Sequence, residues 1–475
     1  MNTRLIAKNA TALGVAGVLA KAISAVVGIF VTRYLGPGPF GDYAAAYAYV
    51  GTFILFSEIG ISQLMVQEGS RDQTVIPKYF GNTLLSKTII AVFIYLLMLI
   101  LMVPAGYDST VKSMIIILGI AVGFNAINQS VYNYYQTKQQ MYLSAGFQLL
   151  TTVLIGGLTV LVILGGLGVV AITATHLASY IFTSLLLYLA LRRKAEPKVD
   201  FPQLPQMVKR GLPFGIHRIF YNMYFQMSIL MLSLLTSNVE VGVYSAAFKL
   251  VLMLIFLPSL MASAIYPVLF QLGVTDKGKH QETIEKFFKF LCAVGIPISL
   301  LLFVLAEPIM IWLYDGKFND SIPIMMIVCW FFMLECMSFA LGDILTTTNR
   351  QWLRTAIQGS GIVLLFILIL LLYPIIGIYG AAYGMIIVEA LIFISYYAVV
   401  RLKVYKIRLW RHLTVVIIAS AVMGIAAYAL YNFHPVLSSF LAGILYLFVL
   451  IIWDRDFRKV GTYALRSVLS LVGRS

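Results

Sequence analysis

Charge is what this sequence has least of. Asp, Glu, Lys and Arg make up 11% of its 475 residues, while 61% are hydrophobic. Soluble globular chains carry about 25% charged and about 45–50% apolar residues. With a mean hydropathy of +0.92, this balance excludes a soluble enzyme and a disordered chain. Cysteine is nearly absent as well. Cys292, Cys329 and Cys336 all fall in apolar runs and form no CxxC pair. A disulfide scaffold is excluded, there is no metal-ligand set, and the three read as small buried hydrophobes. No phosphate-cradling glycine loop of the P-loop type occurs, so ATP hydrolysis by this chain is not expected, and no cofactor is implied.

What is present is a series of long apolar runs. Fourteen are read, at about 10–32, 41–66, 79–103, 111–136, 141–164, 168–191, 208–235, 241–270, 286–305, 322–347, 352–373, 376–400, 410–431 and 435–453. A span needs about 20 residues at 1.5 Å each to cross about 30 Å of hydrocarbon. The runs are continuous and lack period-two alternation, so strands are excluded. The expectation is an all-α polytopic membrane protein with about fourteen transmembrane helices. Lys21 interrupts the first run, which is too long and lacks a small-residue cleavage site, so it is not read as a cleaved signal peptide.

The net charge of +15 does not point to nucleic acid, because the basic residues are spread over loops. With both termini cytoplasmic, 28 of the 34 Lys and Arg fall in cytoplasmic loops and span ends, and only Arg33, Lys112 and Lys317 outside. Such asymmetry sets membrane orientation. Lys21, Arg218 and Lys249 remain inside spans.

Two segments echo each other: GDYAAAY at 41–47 and GVYSAAF at 242–248. TKQQMYL at 137–143 pairs more weakly with TNRQWLR at 348–354, and Leu167-Gly168 with Ile376-Gly377; the offsets are 201, 211 and 209 residues. The ordered echoes predict a duplicated six-helix unit with a pseudo-two-fold repeat. Because six is even, the halves run parallel, a transporter plan with a site between them. The expected boundaries are 1–194 and 208–403 for the two lobes, 195–207 for a linker stiffened by Pro197, Pro202 and Pro205, 404–453 for two additional spans, and 454–475 for a basic amphipathic tail lying on the cytoplasmic surface.

The stretch RYLGPGPFGDYAAAYAYV at 33–50, followed by SEIGISQLMVQEGSRD at 57–72, resembles the opening signature of Wzx-type polysaccharide flippases. That group belongs to the superfamily holding the MATE drug exporters and the lipid II flippases. The resemblance runs through the whole 6+6+2 plan. It implies two lobes around a central cavity lined by the first, second, seventh and eighth spans. It also implies alternating access, and movement of a polyprenyl-linked oligosaccharide to the outer leaflet of the cytoplasmic membrane for surface polysaccharide such as O-antigen. Membrane lipids, and same-pathway enzymes such as a polysaccharide polymerase and glycosyltransferases, are the implied partners.

A charge at bilayer depth costs about 2.5–3.5 kcal/mol or more. On the resembled fold, Lys21, Arg218 and Lys249 all sit on cavity-lining spans. They read as phosphate ligands at three depths, or else as structural ion pairs or snorkelling side chains. Glu58, Glu335 and Glu389 are the candidates for ion coupling or counter-ions, and Asp343 reads as structural. Asn125, Asn128, Gln129, Tyr132 and Asn133 recur on one helical face, and Tyr221 and Asn222 follow on the seventh span. They read as a glycan-facing wall or as interhelical hydrogen bonds. The last two spans read as a lipid-tail groove or as simple packing. No catalytic residue is assigned. The competing functions are a MATE-like exporter of cationic drugs, which calls for an acidic cavity, and a membrane-embedded glycosyltransferase or polymerase, which calls for acidic motifs in large loops.

Overall fold

The computed structural model describes residues 3–57, 60–192, 196–407, 409 and 413–459, with all their side chains except those of 3–8, 10–11, 57, 211–218, 264 and 274. Among the described residues there is no strand. The helices are α1 (Thr3–Leu35), α2 (Pro37–Ile54), α3 (Ile61–Arg71), α4 (Ile76–Met102), α5 (Ser109–Thr137), α6 (Met141–Leu164) and α7 (Val169–Leu191). There follow α8 (Leu204–Leu235), α9 (Asn238–Leu254), α10 (Phe256–Thr275), α11 (Lys277–Val304), the short α12 (Ala306–Tyr314), α13 (Ser321–Thr347), α14 (Gln351–Ile376) and α15 (Tyr379–Lys403). Then come α16 (Thr414–Ala429) and α17 (Pro435–Trp453).

Each of the fourteen expected segments is largely helical over its described part. Eleven helical stretches are long and apolar enough to cross a membrane, and Ile219–Leu235 and Thr414–Ala429 are shorter apolar helices. The chain is a multi-pass membrane protein. Two expected spans are not continuous. The run 41–66 breaks between α2 and α3, where Gly60 takes φ +79°, a left-handed conformation that only glycine adopts freely. The run 241–270 breaks at Ile255, whose N–H bonds back to Leu252 O. Pro258 stands three residues on, lacks an N–H and crowds the carbonyl four residues before it.

The repeat is visible in backbone detail. Gln139 and Asn349 both take a left-handed φ, +59° and +58°. Gln140 N–H bonds Tyr135 O at 2.8 Å, and Arg350 N–H bonds Leu345 O at 2.7 Å. The true register at this turn is therefore 210 residues, and the offset of 211 taken from the sequence echo is one residue too long. At the preceding joint, Asp72 and Asp276 are both extended helix caps whose N–H groups bond four residues back, to Glu68 O and Leu272 O. The first echo turns out to be a contact. A Cβ on Gly41 would lie 1.6 Å from Asn238 O, and one on Gly242 would lie 1.9 Å from Pro37 O. The two repeat glycines let the starts of α2 and α9 cross backbone to backbone.

The chain forms two compact units, Met1–Ser245 and Ala246–Ser475. In the first, α5 is central and packs on α2, α3, α4 and α7; α1 lies along α6, and α8 lies on α2 and α3. The linker is pinned as well as proline-rich. Asn82 accepts from Asp200 N–H at 2.8 Å and donates to Asp200 O at 2.9 Å, Lys198 N–H bonds Pro77 O, and Lys78 pairs with Asp200 at 3.1 Å. In the second unit α13 is central, against α11, α14 and α15. The additional helices α16 and α17 pack on α11 through Val416, Ala419, Met423, Ala442 and Tyr446, and Tyr446 Oη donates to Ala293 O at 2.7 Å.

Candidate functional site

The amide-rich face of α5 spans about 140° of the helix at about 100° per residue, wide enough to meet two different surroundings. The structure divides it along its length. Asn125, Gln129 and Asn133, spaced four apart, line a cavity of about 270 Å3 together with Gln63 of α3 and Asn222 of α8. Its apolar walls are Ile54, Leu55, Val122, Ala126 and Ile219. Among the described residues no ionisable side chain lines it. Five primary amides offer both donors and acceptors without net charge, which suits hydroxyl groups better than a phosphate or a cation.

The other edge of the same face is structural. Asn128 is buried, donates to Tyr180 O at 3.3 Å and accepts from Ser184 Oγ at 2.7 Å, both on α7. Tyr132 is buried, with its hydroxyl 3.4 Å from Thr151 of α6. These two serve the helix packing and do not line the cavity. Tyr221 stacks edge-on against Phe225 at 4.9 Å and is not among the lining residues. Gln63 was missed from sequence because 41–66 reads as one continuous apolar run, and the break at Gly60 that starts α3 shows only in the structure.

The charged candidates fall on several elements. Lys21 is exposed on α1. Lys249 is half-buried on α9 and belongs to the second unit. Glu58 and the side chain of Arg218 lie outside the described residues. Glu335 on α13 and Glu389 on α15 are buried, and both lie within electrostatic reach of Tyr396, as does Arg354.

Three cations counted among the cytoplasmic ends are in fact buried: Lys87, Lys289 and Arg354. Arg354, in the first turn of α14, pairs with the fully buried Asp343 of α13 at 2.9 Å. Tyr266 Oη of α10 donates to the same carboxylate, and Arg354 also reaches Thr346 Oγ1 at 2.9 Å. Lys289 of α11 pairs with Asp454 at 2.6 Å and Asp456 at 2.8 Å, just beyond α17. The Lys289 hydrogen bond holds the Asp456 carboxyl below the usual carboxylate range. A basic residue in the first turn of a span looks like a loop charge. Only the partner in space reveals a buried pair.

The polysaccharide biosynthesis protein family matches residues 6–273, and the MatE family matches residues 213–372. No curated protein matches the chain in sequence. Among solved structures, the chain is similar to the lipid II flippase MurJ in an inward closed conformation, with a TM-score of 0.77 at 13% identity over 94% of this chain and 99% of that one. It is similar to an inward-facing multidrug resistance MATE family transporter of the MOP superfamily, with a TM-score of 0.66 at 17% identity over 81% and 94%. A eukaryotic MATE transporter gives 0.60 at 14% identity over 85% and 97%. At these identities the likeness is one of fold. The resemblance carried by residues 33–50 and 57–72 is borne out, and with more than half of its length matched, this chain belongs to the polysaccharide biosynthesis protein family.

Proposed function

We propose that the protein is a transporter, not an enzyme, that moves a polyprenyl-(di)phosphate-linked oligosaccharide to the outer leaflet of the cytoplasmic membrane by alternating access. The observation that carries this reading is the cavity of Gln63, Asn125, Gln129, Asn133 and Asn222 inside a membrane-embedded unit. Amides that line a cavity in a membrane-spanning unit offer donors and acceptors to whatever enters it, and sugar hydroxyls match both. Family membership and the MurJ-like fold support the same reading. In it, Lys21, Arg218 and Lys249 hold the phosphate, and Glu58, Glu335 or Glu389 couples transport to an ion gradient. The lobes are 1–194 and 208–403, the termini are cytoplasmic, and the polymerase and glycosyltransferases of the same pathway are the partners.

The test is export of the surface glycan in cells carrying Gln129→Leu with Asn133→Leu. Lipid-linked oligosaccharide should accumulate in the inner leaflet while the protein stays inserted; normal export sinks the glycan-cavity reading. Lys21→Ala and Arg218→Ala should each abolish export, and normal export by both removes them from the phosphate site. Glu58→Gln in reconstituted vesicles should no longer respond to an imposed pH or Na⁺ gradient; an unchanged response leaves it a counter-ion. Single cysteines at Ala195 and Asp315 should label from opposite sides of the membrane. Labelling of both from outside overturns the orientation.

A further inference from the structure

A second cavity, of about 540 Å3, lies wholly within the second unit where α11 ends, α12 and α13 begin and α16 finishes. Its polar lining differs in kind from the amide cavity. Among the described residues Glu307 is the one carboxylate that lines it; Tyr428, Tyr431 and Phe303 supply aromatic rings, and Asn432 a single amide. Tyr431 Oη donates to Glu307 Oε2. Glu307 also stands in the first turn of α12, where the helix dipole favours a carboxylate. The remaining wall is apolar: Val304, Ile322 and Met326.

We propose that this cavity binds the ammonium headgroup of a zwitterionic phospholipid, of the phosphatidylethanolamine or phosphatidylcholine class. A carboxylate among tyrosine and phenylalanine rings attracts an organic cation through both charge and ring quadrupoles. One carboxylate and one amide are too few groups for the many hydroxyls of a saccharide, which the five amides of the first unit suit. A soluble amine has no use for the apolar wall. That wall continues past the cavity: the lining Tyr428 is itself 74% exposed, Ile425 three residues before it on α16 is 71% exposed, and Trp312 is 47% exposed. Exposed apolar and aromatic side chains at helix ends lie where headgroups meet acyl chains. On the orientation proposed above, this end faces the outer leaflet.

The full-length protein is purified in detergent and given phosphatidylethanolamine or phosphatidylglycerol with identical acyl chains, and bound lipid is counted by native mass spectrometry. The parent should retain the ethanolamine lipid in preference. Glu307→Gln should lower that retention roughly tenfold, as loss of a hydrogen bond to a charged group does, and Glu307→Asp should keep most of it. Tyr428→Leu, at an exposed position, should weaken binding without loss of folding. Equal retention of phosphatidylglycerol, or no change in Glu307→Gln, overturns the site. Displacement by soluble ethanolamine at the lipid's own concentration overturns the lipid assignment, and displacement by a soluble oligosaccharide makes the cavity a glycan site instead.

Discussion

The joint where the third helix of a repeat meets the fifth and sixth is built twice in this chain, and the two copies differ in charge. In the register set by the αL residues Gln139 and Asn349, Asn133 corresponds to Asp343 and Ser144 to Arg354. Both copies carry the same backbone bond, from Thr137 Oγ1 to Asn133 O and from Thr347 Oγ1 to Asp343 O, each at 2.8 Å. In the register of the Asp72 and Asp276 caps, Ser62 corresponds to Tyr266. The second copy is locked, with Tyr266, Asp343 and Arg354 in one buried network. In the first, Ser144 bonds its own helix at Met141 O, and Asn133 turns to a cavity. The same backbone is thus a rigid corner in one unit and a cavity wall in the other. Removing the Asp–Arg pair from one copy is what leaves its amide available.

The largest effect should come from breaking the lock. Arg354→Ala leaves Asp343 buried and unpaired, at a cost of about 3–5 kcal/mol, read as a large fall in unfolding temperature in detergent. Asp343→Asn with Arg354→Ser copies the first joint into the second and should lose far less. If the double variant is as unstable as the single, charge is not what separates the two joints. Next, Lys289→Met strips both acids at the end of α17 of their cation. The cost should be lower, about 3 kcal/mol, because Asp456 is 37% exposed. Protease nicking near 454–459 should rise with it, and unchanged protection would show that apolar packing alone holds this end.

A smaller effect is expected at the open joint. Asn133→Leu should cut glycan export roughly three- to tenfold, as loss of one hydrogen bond does, with an unchanged unfolding temperature. A fall in stability without a fall in export would make Asn133 structural like its counterpart. The smallest effects belong to the paired caps. Asp72 accepts from Thr74 and Asp276 from Lys279 N–H, and each bond holds its carboxyl below the usual range. A depressed carboxyl contributes stability that is present above its unfolded pKa and lost as pH falls through the folded one. Amide exchange at the starts of α4 and α11 should therefore quicken together in acid. Asp72→Ala and Asp276→Ala should abolish the acid response each at its own helix, and a response at only one helix breaks the symmetry.

Composition and run length determined the membrane class, the helical content and the number of segments, because burying backbone in hydrocarbon leaves few solutions. The motif at 33–50 was enough for the family. The duplication was legible too, since Gly41 and Gly242 keep one residue type where two backbones cross. Periodicity placed the α5 amides on one face, but a face can meet two neighbours at once. Only the packing of α6 and α7 on one edge, and of α3 and α8 on the other, separated Asn128 and Tyr132 from Asn125, Gln129 and Asn133. Charge counting likewise could not tell Arg354 and Lys289 from loop residues. Their pairing depends on Asp343 across a helical turn and on Asp454 far along the chain. Burial and partnership are properties of neighbours in space, and the tertiary structure alone decided them.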